Sequence, residues 1–227
     1  MFKYRSSFRR CAFSLLITVL CLWSISPVVN KGEAKQAVPG QSGTPLRFQL
    51  DASQSKFIAR ALRGGLLWFK GHEHLVAARN FRGTAEITPD KISPASLELT
   101  VDANSLEETS DEFTPQQKQI INKELRDIVL EPAKYPEIVF KSTDVQGKLS
   151  APGQYDLKIA GNLTLHGVTR RIVIPTKVTL TNDTLRAIGE FSIDRGDFKV
   201  KATSAFHGLV RVRDKVKFAF DIVGRRS

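Results

Sequence analysis

The chain has only two cysteines, Cys11 and Cys21, and both lie in an N-terminal segment that reads as removable. The chain beyond residue 34 contains no thiol, which excludes a disulfide framework and leaves no cysteine for a soft metal site. Long apolar runs are also scarce: the stretch at 11–23 has 13 residues, short of the about 20 that a bilayer-spanning helix needs. Zinc-finger spacing, an RNA-binding aromatic signature and an Arg/Lys-rich helix are missing, which argues against a nucleic-acid partner. Also missing are a nucleophile elbow, an H-E-x-x-H pair and a phosphate-cradling loop, so no catalytic constellation, and hence no enzyme, is read. No repeat and no second core is evident, and a single domain with extensions is expected.

What is present begins with an export signal. Lys3, Arg5, Arg9 and Arg10 form a positive n-region, 11–23 an apolar core, and Ser24, Ser26 and Pro27 break it. Gly32 and Ala34 supply small residues, so residues 1–34 are expected to be a signal peptide cleaved after Ala34, with a periplasmic or secreted product. An uncleaved anchor is the alternative. Leu20 before Cys21 argues against lipidation. Residues 35–45, with Pro39, Gly40, Ser42, Gly43 and Pro45, read as a flexible leader, and 46–227 as the folded domain. The net charge is +11, and removing the five basic and one acidic residues of 1–34 leaves 29 basic and 22 acidic residues, a net of +7. Such a surplus favours transient contact with an anionic membrane surface, although a solvated face is the ordinary reading.

From residue 46 the chain alternates with a period of two, interrupted by turn signals, which predicts antiparallel strands with one apolar face. Phe48 and Leu50 open the first strand. A second strand is expected over 56–63, with Phe57, Ala59 and Ala61 on one face. Others are expected from Leu75 into Phe81, from Thr84 to Ile87, and over 95–103 with Leu97, Leu99 and Val101 inward. Ile138-Val139-Phe140-Lys141 and Tyr155-Asp156-Leu157-Lys158-Ile159 are two more, joined by a link rich in turn residues (Gly147, Ser150, Pro152, Gly153). Leu163 and Leu165, Ile172 and Ile174, Val178 and Leu180, Leu185 and Ala187, Phe191 and Ile193, and Val216, Phe218, Phe220 and Ile222 continue the series. At least eight strands result, as a closed barrel or a sandwich.

One helix is predicted. Thr114 can cap it, Pro115 suits its first turn and Gln117 completes a capping box. Ile120, Ile121, Leu125, Ile128 and Val129 form an apolar stripe that ends at Glu131-Pro132. The acidic link before it, Glu107, Glu108, Asp111 and Glu112, lacks calcium-loop spacing and reads as a solvated loop. The cluster Leu66-Leu67-Trp68-Phe69 is too short for a helix and reads as a plug, a lip with Trp68 at its head, or ordinary core.

His72 and His74 lie two apart in extended chain and can share a face. Two imidazoles suit zinc or copper, but a zinc site takes at least three protein ligands, and only His166 and His207 remain. No metal or cofactor is expected. Hydrogen bonding to a polar head group by His72, His74 and Arg79 is the preferred reading. Asp156 and His166 read as surface or hydrogen-bonded residues.

The segments K-Y-P-E-I-V-F-K-S-T at 134–143 and G-N-L-T-L-H-G-V-T-R at 161–170 resemble the two best-marked pieces of the YceI family of secreted bacterial lipocalin-like barrels. The resemblance runs over about 46–223. Asp51-Ala52-Ser53-Gln54-Ser55 is similar to the family's opening motif, with Gln54 where many relatives carry His. Asp194-Arg195-Gly196-Asp197-Phe198 is similar to its late R-x-D-F segment, with Lys199 where glycine is common. The G-H-x-H at 71–74 departs from the better-known pattern and points to a sub-branch. The resemblance implies an all-β, antiparallel, lipocalin-like barrel of about eight strands with one helix, hollow, and binding a polyisoprenoid or related lipid. Its wall is then expected to include Phe57, Ala59, Leu99, Phe140, Leu157, Phe191, Phe198, Phe218 and Phe220, with Trp68 at the lip. A filled barrel that binds a membrane or a protein partner is the alternative.

Overall fold

The computed structural model describes residues 43–65, 67–201, 204–205 and 210–227. The expected signal peptide, nearly all of the leader, and His207 lie outside the described residues, as does the side chain of Trp68.

The strands are β1 (Leu46–Gly64), β2 (His74–Ala78), β3 (Phe81–Ile87), β4 (Ala95–Asp102) and β5 (Leu106–Glu108). Helix α1 (Pro115–Glu124) comes next and continues as a π-turn, Leu125–Leu130. Then come β6 (Glu137–Ala151), β7 (Gln154–Leu165), β8 (Val168–Leu180), β9 (Thr184–Asp194), the short β10 (Ser204–Ala205) and β11 (Val210–Arg226). Eight of them, in the order β1-β3-β4-β6-β7-β8-β9-β11, form an antiparallel ring that closes by pairing β11 with β1. Closure removes the open edges that would otherwise invite pairing with another chain. Of the short strands, β2 pairs with β1 beyond the stretch that β3 covers, β5 pairs with β2, and β10 pairs with β11.

Local chemistry explains where the observed strands differ from the expected ones. The two strands expected before residue 64 are one, β1, whose register against β11 shifts between Asp51 and Lys56. Within that bulge the Asp51 carboxylate accepts from Ser53 N at 3.0 Å and Ser53 Oγ at 2.6 Å, so the polar run bends the strand without ending it. The link expected between residues 141 and 155 is likewise mostly strand, and only Pro152-Gly153 turn the chain. The segment expected to run from Leu75 into Phe81 is instead split, ending β2 at Ala78 and opening β3 at Phe81.

Two inward positions are glycine for a steric reason. A Cβ on Gly161 would stand 2.5 Å from the Phe140 ring, and one on Gly189 would stand 2.5 Å from the Phe220 ring. Each lies where alternation calls for an apolar side chain, and each cedes that volume to a neighbouring aromatic.

The two ends of the ring are closed differently. At the end marked by Leu46, Ile87 and Gln154, the Tyr155 hydroxyl accepts from Asp90 N at 3.0 Å, and Tyr155 is only 2% exposed. This ties the β3–β4 loop across the barrel floor. The opposite end carries α1, whose capping box forms as expected: Thr114 N donates to Gln117 Oε1 at 2.8 Å and Gln117 N donates to Thr114 Oγ1 at 3.3 Å. The expected apolar stripe divides, with Ile121, Leu125 and Val129 facing the barrel interior while Ile120 and Ile128 are exposed. The change from α to π winding after Glu124 resets which residues share a face.

Candidate functional site

The interior of the ring is an apolar cavity of about 350 Å³, within the size range of small-molecule sites. Alternate residues of the strands supply its wall, as the pleat requires. On β7 these are Leu157, Ile159, Leu163 and Leu165; on β8, Ile172, Ile174 and Val178; on β11, Val216, Phe218, Phe220 and Ile222.

Of the ten residues expected to contact lipid, Phe57, Ala59, Leu99, Phe140, Leu157, Phe191, Phe218 and Phe220 all line this cavity. Phe191 stacks on Phe218 with centroids 4.8 Å apart, and Phe57 sits 6.0 Å from Phe218 and 6.4 Å from Phe220, giving an aromatic patch on one side of the wall. Phe57, Phe191, Phe218 and Phe220 are only half-buried although they point inward, because part of their surface is the cavity wall itself. Phe140 and Leu157 are nearly fully buried and shape the wall from within the core.

Phe198 is different. It is 1% exposed in a 3-10 turn, Arg195–Phe198, and packs in the core without reaching the cavity lining. The resemblance implies a wall position for it, but the turn after β9 seats it in the core instead. Trp68 has its backbone in the short turn Trp68–Lys70 between β1 and β2, on the α1 end, and the adjacent Phe69 is 59% exposed. That part of the apolar cluster is surface rather than ordinary core.

The expected head-group trio separates. His74 alone lines the cavity. His72 is more than half exposed, with Nδ1 3.3 Å from Glu112 Oε2, and Arg79 is exposed with its Nε donating to Glu107 Oε1 at 2.5 Å. The two imidazoles do not converge on one ligand. Each meets the Phe113 ring at 5.3 Å, His74 stacked and His72 edge-on, and each is held by its own carboxylate.

The carboxylate beneath His74 is not legible from sequence as a site residue. Glu108 belongs to β5 rather than to a solvated loop, and its side chain is fully buried. It accepts from His74 Nδ1 at 2.8 Å, from Leu75 N at 3.1 Å and from Ser110 N at 2.8 Å. Burial raises its pKa, but those three donors outweigh burial and hold it below the ordinary glutamate value. Glu108 thus anchors the His74 ring at the cavity rim and ties β2 to the segment that leads into α1.

The remaining polar lining is small. Glu124, Arg195 and Lys201 lie toward the α1 end, Glu86 and Ser96 toward the floor, and Thr176 is buried in the wall with its hydroxyl donating to Ile174 O at 3.3 Å. Arg195 belongs to the R-x-D-F segment, and nothing in its sequence neighbourhood marks it as a cavity residue.

The two segments that carry the family resemblance meet in space. Val139 pairs with Thr164 and Phe140 with Leu163. Tyr135 packs on His166 at 4.2 Å between ring centroids, with Lys134 Nζ 5.0 Å over the tyrosine ring. His166 and Gly167, both with positive φ (51° and 73°), make the two-residue turn between β7 and β8. This turn and the Tyr135 ring packed on it build the barrel and do not touch the cavity.

The profile of the YceI-like domain family matches residues 48–224. Among solved structures, BcnA of Burkholderia cenocepacia is 21% identical with a TM-score of 0.60, covering 77% of this chain and 98% of its own. A polyisoprenoid binding domain from Saccharophagus degradans, implicated in plant cell wall breakdown, is 16% identical with a TM-score of 0.55, covering 80% of this chain and 99% of its own. The Campylobacter jejuni YceI protein is 16% identical with a TM-score of 0.50, covering 67% and 84%. At these identities the structures share the fold. No curated protein sequence matches the chain.

Proposed function

The chain belongs to the YceI-like domain family, and we propose that it is a non-enzymatic binding protein that holds the apolar chain of an isoprenoid, quinone-like or other amphiphilic lipid inside its barrel. The observation that carries this reading is the cavity of about 350 Å³ enclosed by the eight-stranded ring and lined almost wholly by aliphatic and aromatic side chains. A filled barrel has no such space, which disfavours the alternative of a solid interaction module. That a domain from Saccharophagus degradans with this fold is a polyisoprenoid binding domain supports the choice of ligand class.

Burial of apolar surface is sufficient as a driving force. Each buried CH₂ contributes roughly 0.8 kcal/mol, so a five-carbon isoprene unit contributes about 3–4 kcal/mol. Micromolar affinity needs about 8 kcal/mol, which a few units supply before ordering costs are subtracted. Ile120 and Ile128, exposed on the α1 end, and the basic surplus of the chain fit brief contact with an anionic membrane surface during loading. With cleavage after Ala34 the site of action is the periplasm or the exterior.

The test is displacement of an environment-sensitive apolar dye from the purified protein. Geranylgeraniol, farnesol and a long-chain quinone are expected to displace it at micromolar concentrations. Water-soluble quinone rings without a chain are expected not to. Absence of dye binding, or displacement by the ring alone, would contradict the reading.

A further inference from the structure

We infer that the barrel has a side entrance: the seam between β8 and β9 is a portal for an apolar chain, and residues 195–201 are the strap that closes it. The inference rests on the proposed lipid-binding role of the cavity and names the route by which the cavity is filled.

The seam begins at one residue. The β8–β9 ladder runs from the pair Leu180 and Leu185 to the pair Thr176 and Gly189, and stops there. The next residue of β8 is Pro175, which has no N–H to give a neighbouring strand. Residues 168–175 of β8 and 190–194 of β9 are still strand, yet they do not pair with each other. Their outer ladders continue over the same residues, β8 pairing with β7 as far as Val168 and β9 with β11 as far as Asp194. Each strand is thus held from one side only. Ile172 and Ile174 on one lip and Phe191 and Ile193 on the other line the cavity, so the seam leads into it.

What closes the seam is the chain that leaves β9. The turn Arg195–Phe198 packs against β8, Phe198 is buried in the core, and Val200 is buried and lines the cavity. Side chains, rather than ladder hydrogen bonds, separate the interior from the outside here. The strap is lightly tethered. Lys199 N donates to Gly196 O at 3.0 Å, Val200 N to Arg195 O at 3.1 Å and Arg195 Nη1 to Val200 O at 2.8 Å, and all three bonds stay within it. Among the described residues, its one hydrogen bond to a strand of the ring joins Arg195 Nη2 to Asp214 Oδ1 of β11 at 2.5 Å, and the Asp214 side chain is 65% exposed. A Cβ on Gly196 would meet nothing within 4 Å, so the turn has free space beside it. A segment with few bonds to the rest of a fold opens at low cost. Val173 and Ile188, both exposed, put apolar surface on the outer face of β8 and β9.

The experiment is stopped-flow fluorescence with the apolar dye N-phenyl-1-naphthylamine, entry being followed on mixing and release on displacement by geranylgeraniol. The full chain with Cys11→Ala and Cys21→Ala serves as background, so that an introduced cysteine is the only thiol. A gate sets both rates and leaves affinity alone. Val173→Cys carrying a polyethylene glycol maleimide is expected to slow entry and release by about tenfold or more with Kd unchanged. The same label on Gln49→Cys, exposed on β1, is expected to leave both rates in place. Asp214→Asn removes the tether and is expected to speed both rates about two- to fivefold, again with Kd unchanged. None of the three positions lines the cavity. Rates unchanged by the Val173 label, or slowed equally by the Gln49 label, overturn the side entrance and leave the cavity reading intact. Slowing by the Val173 label with no effect of Asp214→Asn overturns the strap as its gate. A change in release alone, with Kd shifted to match, overturns the gate as well, because it reports a contact with the bound dye. Absence of dye binding in the unlabelled chain overturns the lipid-binding reading and this one with it.

Discussion

His166 Nε2 donates to the Glu131 carboxylate at 2.8 Å, joining the end of the helical segment to the turn between β7 and β8. Both residues have positive φ, 51° at His166 and 47° at Glu131, so each half of the clasp sits on a backbone that side chains other than glycine and asparagine adopt at a cost. His166→Asn fits the turn but is too short to reach Glu131, and is expected to cost about 1–2 kcal/mol for the lost charge-assisted hydrogen bond. His166→Ala is expected to cost more, because it adds turn strain. Urea unfolding of the two variants separates these contributions; equal and negligible losses would show that the clasp is not structural.

Acid should weaken the fold through two carboxylates. The hydrogen bond from His166 holds Glu131 below the ordinary glutamate pKa, and the donors around Glu108 do the same there in spite of burial. A depressed folded-state pKa contributes stability that is fully present above the unfolded value, about 4.3, and is lost as pH falls through the lower folded value. Melting temperature is therefore expected to drop as pH falls below about 4.3. Glu108→Gln with Glu131→Gln is expected to lower stability at neutral pH and to flatten that dependence. An unchanged acid slope in the double variant would contradict the assignment.

Much of this architecture is legible in the sequence. Period-two alternation finds the strands, and Thr114, Pro115 and Gln117 find the helix start. Eight of the residues named from alternation and resemblance line one cavity. The legible part is local. Glu108, Arg195 and the inward glycines Gly161 and Gly189 take their roles from residues on other elements of the fold, and nothing in their own neighbourhood signals it. Phe198 shows the converse limit, since the resemblance implies a place on the cavity wall and a 3-10 turn packs it in the core.

Substitutions along the wall should divide by role. Phe140 is 3% exposed and packed against Gly161, so Phe140→Ala is expected to cost about 3–5 kcal/mol in chemical denaturation. Phe218 is only half-buried with its face to the cavity, so Phe218→Ala should cost less stability and show its larger effect on ligand affinity. Identical effects of the two on both readouts would erase the distinction between core and cavity wall.

Lys199 has φ of 57° at the end of the R-x-D-F turn, in the left-handed region that favours glycine. Lys199→Gly is expected to raise stability by about 0.5–1 kcal/mol by relieving left-handed strain, net of the added freedom of the unfolded chain. Thermal denaturation of the variant checks this, and a loss of stability would mean that the lysine side chain contributes more than its backbone costs.

Filling the cavity should abolish binding without unmaking the barrel. Ala59 lines the cavity near the aromatic patch of Phe57, Phe218 and Phe220. Ala59→Trp projects a large ring into that space, at an overpacking cost of about 1–3 kcal/mol. Far-ultraviolet circular dichroism should remain that of the wild type while apolar dye binding falls at least tenfold. Undiminished dye binding would place the dye outside the barrel.

Native mass spectrometry followed by organic extraction, on protein recovered from the periplasm of an expressing bacterium without added lipid, bears most directly on the lipid-binding role. Wild-type protein is expected to carry one stoichiometric adduct that extracts as an isoprenoid or other long-chain lipid, and Ala59→Trp is expected to have lost it. A wild-type chain that stays at its bare mass, even after incubation with polyprenols, quinones and fatty acids, would contradict that role.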